Sequence, residues 1–125
     1  MLAREYINHE EFAQAYELLN EFLKQHENTA NSLFLQSYVE IKLEKLDEAK
    51  THLHQVIEKN ADFHEAFYNL SLIYLDEADY VAAKEYARKA LEIQPSNEDY
   101  KKHLNQISDL ESAASSSQLP RSIID

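Results

Sequence analysis

Shifted against itself by 34 positions, the sequence keeps one register along its length without a single insertion. Ala15 falls on Ala49 and Ala83, Leu19 on Leu53, and Phe22 on Val56 and Ala90. Small residues coincide at Ala3, Ser37 and Ser71, while Phe12, Leu46 and Tyr80 coincide where each copy opens a second helix. A fixed period of this length marks one supersecondary unit repeated, in which stacked neighbours bury a continuous core that no single unit could bury alone. Inside a unit the spacing is helical. Phe67, Leu70 and Tyr74, then Tyr80, Ala83, Ala87, Ala90 and Leu91, recur at three and four residues. Small side chains at Ala15, Ala49, Ser71 and Ala83 let paired helices approach closely.

Composition narrows the chemistry. None of the 125 residues is glycine, where usage of roughly 7% would supply about nine. Phosphate-cradling loops and dinucleotide fingerprints need glycine for positive φ and close backbone approach, so both nucleotide-binding types are excluded. Tight hairpins also favour glycine, and only Pro95 and Pro120 interrupt the chain, which leaves helices joined by short turns. There is no cysteine, hence no disulfide, thiolate metal site or catalytic thiol. The net charge of −11 repels nucleic acid and anionic lipid. No apolar run approaches the ~18 residues of a membrane span. The start, Met1-Leu2-Ala3-Arg4-Glu5-Tyr6, lacks a secretory apolar stretch, so a cytoplasmic protein or a piece of a longer one is expected.

The repeat resembles the tetratricopeptide family, whose 34-residue unit is a helix–turn–helix. The best copy reads Phe67-x-x-Leu70-Ser71-x-x-Tyr74, then Ala83, Ala87, Ala90 and Pro95. It departs from the family pattern in Ser71 for glycine and Ala87 for an aromatic residue. The middle copy keeps Leu33, Ser37, Ala49, Leu53 and Val56 but has Gln36 and Glu40 where Leu and Tyr are usual. The resemblance implies an all-α, right-handed superhelical array of antiparallel helix pairs, an α-solenoid with a C-terminal capping helix. The expected organisation is a repeat domain over 1–111, with a truncated copy at about 1–28, full copies at 29–62 and 63–95, and a cap at 96–111. Asp62 with Glu65 reads as a capping box, Asp79 and Ser96 as N-caps, and Pro95 as a stop. From Ser112 to Asp125 the Ser-rich composition reads as a flexible tail.

Nothing points to catalysis. His52 and His54 are two residues apart on a helix, on different flanks, whereas metal ligands want the i, i+4 spacing. His9, His26, His64 and His103 are scattered, and the carboxylates are spread over helix faces with no visible apolar pocket to raise a pKa. We therefore expect no enzyme activity, no metal and no cofactor.

In arrays of the family it resembles, the first helix of each repeat lines a concave groove. Here those positions hold Phe34, Leu35, Tyr38, Ile41 and Lys42 in one repeat and Tyr68, Asn69, Leu72, Leu75 and Asp76 in the next. Arg4, Ile7 and Asn8 extend the surface at one end and His103 at the other. Apolar and aromatic residues beyond what helix pairing needs mark a contact surface. A familiar use of the family is a clamp of Lys, Asn and Arg on the terminal carboxylates of chaperone tails. The matching positions, Asn31 and Leu35, Glu65 and Asn69, Asp99 and His103, supply only Asn69, which argues against such a ligand. The expectation is a protein–protein interaction scaffold that binds a peptide or partner helix. The alternatives are a self-association module, with a homo-oligomer or the Leu119–Ile124 tail filling the groove, and a fragment of a larger protein.

Overall fold

The structure is a computed structural model that describes the backbone of residues 11–124 and the side chains of residues 11–115. Six helices occur among the described residues: α1 (Phe12–Gln25), α2 (Ala30–Lys42), α3 (Leu46–Lys59), α4 (His64–Asp76), α5 (Tyr80–Ile93) and α6 (Glu98–Ile124). No strand accompanies them there. The period predicted from the sequence is the period of the elements. Helices α1, α3 and α5 start at Phe12, Leu46 and Tyr80, and α2, α4 and α6 start at Ala30, His64 and Glu98, each set spaced by 34. Thus α6 begins where the first helix of another repeat would begin.

The chain divides into two compact units between Ala66 and Phe67, within α4. In the first unit α2 packs against both α1 and α3. Ala15, Leu19 and Val39 form a fully buried cluster flanked by Phe12, Tyr16, Leu18, Leu35 and Leu43. Leu33, Ala49, Leu53 and Val56 are buried as well, as the repeat register requires. Thr29 caps α2 by accepting from the Ser32 amide at 3.0 Å, while Ser32 Oγ accepts from the Thr29 amide, which satisfies two end donors reciprocally.

Buried polar residues interrupt this apolar packing. Gln36, Ser37 and Glu40 are all fully buried. Gln36 and Glu40, the two departures from the family pattern, contact each other: Gln36 Nε2 donates to Asn20 Oδ1 at 2.6 Å and to Glu40 Oε2 at 3.3 Å. The other Glu40 oxygen lies 2.7 Å from His52 Nδ1 on α3. This hydrogen bond raises the His52 pKa above its usual 6.5, against the opposing effect of burial.

In the second unit α5 packs on α6, with Ala83, Ala87 and Ile107 at the centre and Tyr74, Leu75, Tyr80 and Leu104 around them. Ala87 is the small residue that replaces an aromatic one, and its burial lets α6 fill the space. Phe67 is 7% exposed and stacks on Tyr86 at a centroid distance of 6.3 Å.

The turns after α2 and α4 solve the missing-glycine problem identically. Glu44 and Ala78, again 34 apart, both take the left-handed conformation at φ 59°. The amides of Glu44 and Lys45 return to the carbonyls of Ile41 and Glu40, and those of Ala78 and Asp79 to Leu75 and Tyr74. Both are Schellman closures, a position where glycine is usual because it has no Cβ to clash.

Three sequence expectations about helix ends change. α4 starts at His64, so Glu65 is its second residue and Asp62 lies outside the cap, its amide held by Asn60 Oδ1 at 3.1 Å; the predicted capping box is absent. Asn97, not Ser96, caps α6 by accepting from the Tyr100 amide at 3.1 Å. Asp79 does cap α5, accepting from the Ala82 amide at 3.2 Å. Finally, α6 does not stop at 111 but continues to Ile124. With no glycine and no proline between Ser96 and Leu119, and Ala113 and Ala114 in the path, each added residue closes one more helical bond; Pro120, which has no N–H to donate, leaves one such bond unmade before the helix ends at Ile124.

Candidate functional site

The second unit contains a cleft of about 520 Å³ between α4 and α6. Tyr68, Leu72 and Leu75 line it from α4, spaced so that they share one helix face. Asn97 and then Asp99, Tyr100, Lys102, His103 and Gln106 line it from the start of α6. The wall is aromatic. Tyr68 stacks on Tyr100 with centroids 4.9 Å apart and meets the His103 ring edge-on at 4.9 Å. Leu72 is 39% exposed, one of the few large apolar side chains left open to solvent.

His103 is 5% exposed, and its hydrogen bonding fixes its tautomer. Ser71 Oγ has one proton, which it donates to the Ala83 carbonyl at 2.7 Å. The 2.7 Å contact between Ser71 Oγ and His103 Nε2 must then be donated by the ring, so Nε2 carries the hydrogen. Burial lowers the His103 pKa below 6.5, which keeps the ring neutral and leaves Nδ1 as an acceptor.

The expected groove residues thus fall into groups. Tyr68, Leu72, Leu75 and His103 are brought together in the cleft. Leu75 also touches the α5–α6 core cluster. Asn69 is half-buried and Asp76 exposed on the same helix. In the first unit Leu35 packs on the Ala15–Leu19–Val39 cluster, and Phe34 stacks on Phe63 at 4.8 Å. Tyr38 meets Phe12 edge-on at 6.3 Å, with Lys42 Nζ 5.4 Å from its ring; Ile41 is half-buried. Arg4, Ile7 and Asn8 lie outside the described residues. Sequence reasoning missed Asn97, Tyr100, Lys102 and Gln106. Their signal was present, since Asn97, Tyr100 and His103, with Gln106 beyond, continue at intervals of three.

No group of three or more His, Asp or Glu among the described residues could hold a metal ion. No helix there is long and apolar enough to cross a membrane.

Comparison with known proteins settles the family. A tetratricopeptide-repeat family model matches residues 64–97, and a second matches residues 31–62. The chain belongs to the tetratricopeptide-repeat family. The two matched repeats correspond to α4 with α5 and to α2 with α3. The fold is an all-α helical-repeat solenoid, shared with a crystal structure of MamA at TM-score 0.84 and 19% identity, over 89% of this chain and 65% of that one. It is also shared with the first TPR of Spaghetti (RPAP3) bound to the HSP90 peptide SRMEEVD, at TM-score 0.82 and 14% identity over 88% and 87%. A third similar structure is the Sgt2 TPR domain from Aspergillus fumigatus, at TM-score 0.81 and 18% identity over 90% and 76%. The chain spans 65% and 61% of the two MamA structures. No characterised protein matched by sequence.

Proposed function

We propose that this tetratricopeptide-repeat chain is a non-catalytic scaffold that captures a peptide or partner helix in the cleft between α4 and α6. One observation carries the reading: Leu72 stands open to solvent beside the half-buried Tyr68 ring, which rests on the buried Tyr100, an exposed apolar side chain beyond what packing α4 requires. The cleft sets these groups beside Asn97, Asp99, Lys102, His103 and Gln106, a concave mixture of apolar and polar side chains that suits ligand capture. The peptide-bound RPAP3 domain, whose fold this chain shares, accords with that use.

The test pans a phage-displayed random dodecapeptide library on the full chain and on its Leu72→Asp variant in parallel. Sequences enriched on the wild type and lost on a folded variant are the expected result. Enrichment that survives Leu72→Asp overturns the cleft as the site.

A further inference from the structure

We infer that the cleft selects a cationic, apolar segment of a partner protein over a segment ending in free carboxylates. The inference rests on the cleft being the binding site and concerns what enters it. Where a clamp for acidic tails would present cations, α6 presents Asp99 and the buried His103. His103 cannot donate into the cleft through Nε2, which is committed to Ser71. In this neutral tautomer its Nδ1 can only accept. His103 therefore gives a carboxylate neither a charge nor a free N–H.

The remaining charges do not restore a cationic clamp. Asp76 sits one helical turn beyond Leu72, on the same side of α4. Lys102 is the single cation in the lining, set against Asp99 three residues before it. Tyr68, only half-buried and backed by the buried Tyr100 ring, offers π density to a cation that approaches beside the apolar anchor. The chain as a whole carries −11, so its long-range field draws positive ligands and repels acidic ones.

The experiment uses the same panned library, then measures fluorescence anisotropy of the most enriched peptide and of SRMEEVD on the full chain. The enriched pool should carry Lys or Arg next to Leu, Phe or Tyr, and SRMEEVD should bind at least about tenfold more weakly than the enriched peptide. Asp99→Lys should weaken the enriched peptide by about tenfold. Glu85→Lys, the same charge change at an exposed position outside the lining, should weaken it by less than about threefold, as expected for a screened charge. An acidic pool, tighter binding of SRMEEVD, or equal losses from the two lysine variants each overturn the inference. An acidic pool still lost on Leu72→Asp would overturn this charge selection alone and leave the cleft as the binding site.

Discussion

Ser71 Oγ stands 2.7 Å from the Ala83 carbonyl oxygen and 2.7 Å from His103 Nε2, so one hydroxyl joins α4, α5 and α6. The family pattern has glycine here, which could fill the close approach but could not make either bond. Ser71→Ala should keep the close approach yet leave the buried His103 N–H without a partner, costing about 1–3 kcal/mol. Ser71→Leu should be worse, because it also overpacks the site. Urea denaturation of both variants checks this, and an unchanged midpoint for Ser71→Ala would show that the bond contributes nothing.

The buried His103 contact and the half-buried His52 contact should respond to acid in opposite directions. His103 has a lowered folded pKa, so the unfolded chain binds its proton more readily and the His103 contribution falls as pH drops below about 6.5. His52 has a raised folded pKa, so its contribution is complete below about 6.5 and is lost as pH rises through the folded value. His103→Gln should therefore lose less stability than the wild type on acidification from pH 7.5 to 5.5. His52→Gln should lose more. Melting temperatures across that interval decide, and parallel profiles for the two variants would contradict both assignments.

Glu44 and Ala78 occupy left-handed backbone at φ 59°, where a Cβ crowds the following carbonyl. Glycine relieves that crowding at the expense of a freer unfolded chain. Ala78→Gly should still stabilise by about 0.5–1 kcal/mol, reversing the usual sign of an alanine-to-glycine change near a helix. A lower melting temperature for Ala78→Gly would mean that the turn is not left-handed in solution.

The Gln36–Glu40 pair predicts non-additivity. Gln36→Leu removes a donor from Asn20 and Glu40, and Glu40→Tyr removes an acceptor from Gln36 and His52. Each single change should cost about 1–3 kcal/mol. The double change, which restores the residue types usual in the family, should cost less than the sum by about 0.5–3 kcal/mol. A strictly additive double-mutant cycle would show that the two buried groups act independently.

Stability and capture should separate on α4. Phe67→Ala empties a site only 7% exposed and should cost about 3–5 kcal/mol. Leu72→Asp, at 39% exposure, should shift stability by no more than about 0.5 kcal/mol while abolishing peptide capture. Thermal melts read beside peptide titrations distinguish the two. Loss of fold in Leu72→Asp would show that this side chain is a packing residue.

Helix positions were legible because a 34-residue period fixes every start once one is known: Phe12, Leu46 and Tyr80 each open a helix as read. Burial followed from periodicity too, since Leu33, Leu53 and Leu70 are all fully inside. What escaped was chemistry that depends on two helices at once. Gln36 and Glu40 read as weak matches because a sequence scan sees two polar residues at apolar positions and cannot see Asn20 and His52 brought to them. His103 read as a groove residue from its position alone, and the serine 32 positions earlier that holds its ring could not be seen from the sequence. The reach of α6 was misjudged for another reason. Serine is a mediocre helix former, and a Ser-rich composition suggests a linker, but propagation from an established helix costs far less than starting one.

Helix pairing between sequence neighbours, α1 with α2, α2 with α3 and α5 with α6, also sets a clock. Each pair closes over a short loop, so little chain entropy has to be spent before contacts reward it, and folding should fall in the microsecond-to-millisecond range seen for helical domains of low contact order. The slow step in such a chain is the docking of side chains with one acceptable geometry. In the first unit that step is the seating of Gln36 and Glu40 against Asn20 and His52. Because both residues lie within α2, their backbone amides should gain protection with that helix in pulse-labelled hydrogen exchange, ahead of the seating of their side chains.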